Sequence, residues 1–254
     1  MCLIVVAWRV SADYPLVVAA NRDEVFDRPT APASFWEDAQ QVLGGRDLQA
    51  GGTWMGVTRG LRFAALTNIR EPTKHDADAR SRGLLVSEFL NGRRRPDTYL
   101  RTVARQGKQY NGFNLLAADP ESLYYYSNRG DAPRELPPGI YGLSNGMLDT
   151  PWPKLEAAKS FFARALRGLP DFEPCFDLLS DDETAPDDQL PDTGVGLDWE
   201  RILSAIFVKS PVYGTRASTI LAVRADNSVR FVERRFGADA SPAGGTDVAF
   251  MAEV

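Results

Sequence analysis

The 254 residues contain a single histidine, His75. A multi-histidine metal site is therefore excluded, and a Ser-His-Asp or Cys-His mechanism would have to run through that one side chain. Cysteine is nearly as scarce. Cys2 and Cys175 cannot build a disulfide framework, so a reducing compartment is expected. Long apolar runs are absent as well. Nothing approaches the roughly 20 residues of a membrane span. The stretch Leu3–Trp8 is too short for a signal peptide, has no basic residues before it and is interrupted by Arg9. Positive charge is not in excess: the formal net charge of -5 gives no general attraction to nucleic acid or anionic lipid. These absences predict a cytoplasmic protein with no membrane span and no nucleic-acid partner, and they leave its oligomeric state open.

What is present is ordinary globular material, 44% hydrophobic and 25% charged, enough for a sizeable core. No linker or internal repeat divides the chain, which reads as one domain over residues 1–254. Residues 2–8 and 16–20, "CLIVVAW" and "LVVAA", are short and rich in β-branched residues. The turn-forming "SADYP" lies between them, so an antiparallel pair of buried strands is predicted. "TWMGVT" and "RFAALTN" form a second pair turning at Arg59-Gly60. Helical spacing follows over 81–106, with Pro96 near the start of a second helix. "GFNLLAAD" and "SLYYYSN" return to strands. "TPWPKLEAAKSFFARALRG" predicts a helix capped by Thr150, with Pro151 in its first turn and Gly168 closing it. "LDWERILSAIF" is a further helix, and residues 214–236 form a hairpin turning near Asp226-Asn227. The acidic, Pro- and Gly-rich 180–196 reads as a surface loop, 25–41 as another loop whose place is not assigned, and the last fifteen or so residues read as irregular. Segregated strands and helices predict an α+β fold with antiparallel sheets.

The chemistry centres on Cys2. Methionine is usually removed before a small residue, which would leave Cys2 as the mature N-terminus carrying a thiol and an α-amine. An α-amine has a pKa of about 7.7–8.0, so it serves as a base at neutral pH where no histidine is at hand. The alternative is that Cys2 is a small apolar residue of a buried strand. In a hairpin, the end of the second strand lies beside the start of the first. That brings Asn21-Arg22-Asp23-Glu24 towards Cys2, where Arg22 would lower the thiol pKa and Asp23 would orient the ammonium form of the amine. The alternative there is an ion pair satisfied at a strand end. Asn68 in "ALTN", Asn145 in "GLSN" and Arg216 in "YGTR" are polar residues near strand ends. If those ends converge, the asparagines are candidate oxyanion donors and Arg216 a candidate carboxylate or thiol partner. Cys175, in the apolar "FEPCFDLL", reads as an inert packing residue.

The "MC" start, "NRDE" at 21–24, "GGTWMGV" at 51–57, "LTN" at 66–68, "GLSN" with "LDTPWPK" at 142–154 and "YGTRASTIL" at 213–221 together resemble the NRDE family, also called the transport and Golgi organisation family. The resemblance covers nearly the whole chain. That family is in turn similar to the cysteine branch of the N-terminal-nucleophile hydrolases, which includes bile-salt hydrolase and penicillin V acylase. The resemblance implies a four-layer αββα sandwich of two antiparallel sheets and cleavage of non-peptide amide bonds by hydrolysis or acyl transfer. Cys2 matches the nucleophile, Asn68 and Asn145 the oxyanion positions, and Arg216 the late active-site arginine. The early Arg-x-x-Asp of the hydrolases departs here, so Arg22 and Asp23 share candidacy with Asn21 and Glu24. No cofactor is required on that account. The family's association with haem trafficking and acyl-CoA or lipid handling implies a competing, non-catalytic use of the same pocket. A small acyl or haem-like molecule would then be the ligand, with His75 the candidate axial ligand for haem, Cys2 or a methionine as alternative ligands, and a solvated loop as the alternative reading of His75.

Overall fold

A computed structural model describes residues 2–253. The two aliphatic runs form β1 (Cys2–Trp8) and β2 (Leu16–Val25), an antiparallel pair in continuous register from Cys2↔Arg22 to Trp8↔Leu16. They are central strands. On one side β1 pairs with β10 (Gly139–Leu143), and on the other β2 pairs with β11 (Tyr213–Val223), which is followed by β12 (Ser228–Phe236) and β13 (Pro242–Met251). The second sheet runs in chain order: β3 (Thr30–Trp36), β4 (Ala39–Asp47), β5 (Met55–Thr58), β6 (Phe63–Asn68), β7 (Phe113–Ala118), β8 (Leu123–Ser127) and β9 (Arg134–Glu135). Every pairing is antiparallel.

Side-chain alternation sorts the core into three slabs. Ile4, Val6 and Trp8 pack with Leu43, Met55, Phe63 and Leu116 between the sheets. Leu3, Val5 and Ala7 point the other way, onto Leu155 and Phe162 of α3 (Pro153–Ala165) and Phe176 of α4 (Glu173–Leu179). On the outer face of the second sheet, Ala64, Leu66 and Leu115 meet Leu85 and Phe89 of α1 (Gly83–Asn91) and Leu100 of α2 (Pro96–Gln106). The layers are therefore helices, sheet, sheet, helices, and the expected αββα sandwich is borne out. Both faces of β1 and of most of β2 are covered, which explains why these strands read as apolar runs rather than as alternating ones.

Three expectations need correction. The tail is not irregular: 242–251 is an edge strand on β12. Its "PAGG" start mimics a turn, and Pro is tolerated at an edge. Residues 25–41 hold all of β3 and the start of β4. The helix expected from Thr150 begins at Pro153, with Trp152 as its cap, because Pro153 takes the first helical position. The Thr150 hydroxyl instead donates to the Met147 carbonyl at 2.9 Å. A further helix, α5 (Leu197–Ile202), is shorter than "LDWERILSAIF". The glycines of "GGTW" have a packing reason. A Cβ on Gly52 would lie 2.4 Å from the Gly83 carbonyl carbon, so this close approach lets Thr53 N–H reach the Gly83 carbonyl (3.2 Å) and docks the start of α1 beside β5.

Candidate active site

The pleat decides which residues meet. Directly opposed residues of an antiparallel pair share a face. Ile4, Val6 and Trp8 point between the sheets, so Cys2 does too, and so does Arg22 across from it. At this end the inter-sheet core opens into a cleft of about 620 Å³ whose wall includes Cys2, Arg22, Asp23, Glu24, Trp54 and Asn68. Trp54 reaches the wall because residue 45 is glycine. A Cβ there would lie 2.3 Å from the indole.

The same alternation divides Asn21–Glu24. Asn21 faces the helices. Its Nδ2 donates to the carbonyls of Leu179 and Ile206 at 2.8 and 2.9 Å, and its Oδ1 accepts from Ser218 Oγ at 2.6 Å. Asn21 thus ties β2 to the helical layer instead of lining the cleft. The Arg22 guanidinium stacks 4.2 Å over the Trp54 ring, donates to Thr30 Oγ1 at 3.1 Å and stands 3.9 Å from the Glu24 carboxylate. Asp23 is buried, and its Oδ1 accepts from Thr215 Oγ1 at 2.7 Å. That hydroxyl in turn accepts from Val208 N–H at 2.9 Å, and the Tyr213 hydroxyl donates to the Asp23 carbonyl at 3.0 Å.

Electrostatics set the resting state of the thiol. Burial pushes the Cys2 thiol up, and Asp23 adds to this while Arg22 opposes it. Arg22 acts in the expected direction, but burial outweighs it, so the thiol rests protonated and needs a base. Burial likewise pushes the Asp23 carboxyl up, opposed by Lys154, the Thr215 hydrogen bond and Arg70.

Cys2, Arg22, Asp23 and Asn68 share the cleft. Asn145 and Arg216 do not line it. Asn145 is buried, and its Nδ2 donates to the Asn68 carbonyl at 2.9 Å while its own carbonyl accepts from Arg70 N–H at 2.9 Å. It fixes the end of β6, and with it Asn68. Arg216 donates to the carbonyls of Val25, at 3.3 Å, and Arg28. It lies beyond Arg22 and Trp54, in an adjoining pocket. His75 is exposed and reaches the cleft rim just after the single turn Pro72–Lys74. Cys175 is fully buried in α4, its thiol pushed up to about 11 by burial.

Two cations escaped sequence reasoning. Arg82, just before α1, lines the cleft and donates to the Gly112 carbonyl at 3.1 Å. Burial pushes its guanidinium down, opposed by Glu24 and Cys2. Lys154 is buried in the first turn of α3, and its Nζ donates to the Leu203 carbonyl at 2.8 Å. Burial pushes it down to about 8 against the pull of Asp23. It had a local signal: a cation in the first turn of a helix opposes the helix dipole. Beside it, Arg70 and Glu200 form a buried pair at 2.5 Å, and Glu200 also accepts from Thr193 N–H and Oγ1 at 2.7 and 2.6 Å. Among the described residues, no three His, Cys, Asp or Glu side chains stand where they could share a metal ion, and no helix is long and apolar enough to cross a membrane.

The sequence matches the transport and Golgi organisation 2 family over residues 1–238. It is 43% identical over 243 residues to the transport and Golgi organization protein 2 homolog of Bos taurus, covering 87% of this chain and 86% of that protein. The Homo sapiens homolog is 42% identical over 240 residues with the same coverage, and the Drosophila melanogaster protein 28% over 250. Among solved structures, a Caenorhabditis elegans N-acylethanolamine-hydrolyzing acid amidase ortholog aligns with a TM-score of 0.40 at 14% identity, over 87% of this chain and 92% of that one. A mutant conjugated bile acid hydrolase from Clostridium perfringens aligns with a TM-score of 0.44 at 9% identity, over 98% and 92%. At these scores neither likeness carries weight for function.

Proposed function

The chain belongs to the transport and Golgi organisation 2 family, and on the geometry of its cleft we propose that it is a cysteine hydrolase or acyl transferase acting on a small, non-peptide acyl substrate. The carrying observation is the register Cys2↔Arg22, which sets a buried thiol on a cleft wall beside Arg22 and Asp23. The mechanism needs Cys2 as the first residue. Met1, whose removal it requires, lies outside the described residues. The Cys2 α-amine takes the thiol proton, and the thiolate attacks the substrate carbonyl. Asn68, held by Asn145, donates to the oxyanion. As the tetrahedral intermediate collapses, the carbon–nitrogen bond breaks and the α-ammonium returns its proton to the leaving amine. Water, or an acceptor amine or alcohol, then attacks the thioester, with the α-amine again moving the proton. Asp23 holds the ammonium form, and Arg22 and Arg82 lower the cost of the thiolate. Unpaired cysteines suit a cytoplasmic setting.

The test starts with intact mass: retained Met1 rules the mechanism out. The freed Cys2 should then alkylate with iodoacetamide near neutral pH far faster than Cys175. Equal, slow labelling of both defeats the proposal, and a Cys2→Ser variant should lose any acyl-enzyme adduct formed with a reactive ester.

A second use, non-catalytic binding of an acyl-CoA or other lipid in the same cleft, draws on Arg80 and Arg82 in its wall, since guanidinium groups suit phosphates. It predicts tight binding of acyl-CoA that is unchanged in Cys2→Ser. Haem does not fit this lining. A macrocycle wants broad apolar walls, whereas this cleft presents Arg22, Arg28, Arg80 and Arg82 with Glu24, Asp47 and Asp76, and His75 stands exposed at its rim.

A further inference from the structure

A line of residues crosses the first sheet at right angles to its strands. Cys2 opposes Arg22, Arg22 opposes Ala217, and Ala217 opposes Arg235. All four belong to neighbouring strands β1, β2, β11 and β12 and share the inter-sheet face. The small Ala217 leaves a hollow between two arginines. Two β-bulges meet there. One, between Thr215 and Ala217, makes Arg216 the extra residue of β11, and the other sets two residues of β13, Ala243 and Gly244, against the single Arg235 of β12. Bulges re-aim side chains and cluster beside active sites. Arg22, Arg216 and Arg235 accordingly line one pocket, with Trp54 and Glu233 in its wall.

This pocket is under-neutralised. Glu233 is buried and already accepts from Ala33 N–H at 3.0 Å, and Glu24 stands 3.9 Å from Arg22. Among the described residues neither Arg216 nor Arg235 has an ion-pair partner within 4.0 Å, and Arg235 Nε is buried with no hydrogen-bond partner. The guanidinium of Arg216 is pushed down first by burial and then by Arg22, against the opposing pull of Glu24 and Asp27. Gly244 makes the seat for Arg235. At φ +93° it adopts a conformation that favours glycine, and a Cβ there would lie 2.8 Å from Arg235 Nη2.

We propose that this pocket is an oxyanion-group subsite, holding a carboxylate or phosphate of the ligand between Arg22, Arg216 and Arg235. Strands stand about 4.8 Å apart, so the hollow over Ala217 lies about 10 Å from Cys2. The subsite deepens the hydrolase proposal: the substrate carries an anionic group about 10 Å from the carbonyl that Cys2 attacks. The Arg22–Trp54 stack, which lines both the cleft and the pocket, forms the partition over which the substrate lies.

The test is direct binding, independent of Cys2 chemistry. Acetate and inorganic phosphate are titrated separately into the full chain at low ionic strength by calorimetry, with thermal shift alongside. The wild type should bind at least one of them, and Arg235→Gln should weaken it about tenfold or more. Ala243→Asp places a carboxylate on the pocket wall from an exposed edge strand. It should abolish binding while folding normally, so the answer does not depend on Arg235→Gln being stable. Arg94→Gln, outside the pocket, should bind like wild type. Tighter acetate assigns a carboxylate, and tighter phosphate a phosphoryl group. Binding of neither anion, or equal binding by wild type and Ala243→Asp, overturns the subsite. Slow Cys2 alkylation with intact anion binding would instead remove the hydrolase proposal and leave the subsite standing.

Discussion

Lys154 offers a stability test of the charge arrangement behind Cys2. Its ammonium group is buried, and burial lowers its pKa from 10.5 to about 8 despite the attraction of Asp23. For a group whose folded pKa is depressed, stability is fully present above the unfolded pKa. It declines as pH falls towards the folded pKa, below which the whole cost is felt. A shift of this size corresponds to about 3 kcal/mol. At pH 7 the folded protein carries that cost, and between pH 8 and 10.5 it is relieved. Lys154→Met keeps the volume and removes the titration. Urea unfolding of both proteins at pH 7, 8, 9 and 10 gives the difference in unfolding free energy, in which the titrations of Cys2 and the tyrosines largely cancel. Wild type should gain on Lys154→Met by roughly 2 kcal/mol over that range, most of it above pH 8, with the remainder relieved only beyond pH 10. Parallel profiles would show that Lys154 is not titrating in the buried position and would refute the charge arrangement.

Other perturbations separate framework from chemistry. Asn21→Ala removes two donors to buried carbonyls and strands the Ser218 hydroxyl, so it should cost about 3 kcal/mol in denaturant unfolding. It should leave the pH midpoint of Cys2 alkylation in place, and a moved midpoint would contradict its assignment to the helix-facing side. Arg22→Met should move that midpoint to higher pH, since Arg22 lowers the thiol pKa. An unmoved midpoint would mean that the guanidinium does not act on Cys2. Gly45→Ala drives a methyl into the Trp54 indole, so it should destabilise by about 1–3 kcal/mol and change tryptophan emission. Wild-type emission and stability would show that Trp54 does not rest there.

Local pattern carried much of this fold. The β-branched runs at 2–8 and 16–20 announced a buried pair, and hairpin geometry then placed "NRDE" beside Cys2, where the register puts it. The pleat settled what composition left open, sending Asn21 to the helices and Arg22 to the cleft. Asn145 was legible as a polar strand end but not as the residue that holds Asn68, because that contact spans the two sheets. The edge strand β13 was hidden because it begins with the turn-like "PAGG" and alternates only in its second half, where half-buried Thr246, Val248 and Phe250 face inward between exposed Asp247, Ala249 and Met251.

Arg216 shows why register cannot be read from a motif. In "YGTRAS" it looks like one more residue of a regular strand. Counting regularly from Thr215↔Asp23 would place Arg216 directly opposite Arg22, two like charges on one face and a destabilising pair. The fold instead skips it, and Ala217 faces Arg22. One inserted residue turns a repulsive cross-strand pair into two guanidinium groups that approach a shared hollow from different directions. It also shifts every later residue of β11 by one, so that Thr219, Leu221 and Val223 face the inter-sheet side while Ile220 and Ala222 face the helices. The bulge therefore accommodates Arg216 without disturbing the core faces of β11 and sets the charge of the pocket beside Cys2. Removing Arg216 outright would restore regular pairing with Ala217 still opposite Arg22 and the core faces unchanged. The core faces of β11 thus do not depend on the extra residue, and what the bulge adds is a guanidinium group that lines the pocket and donates to the Val25 and Arg28 carbonyls.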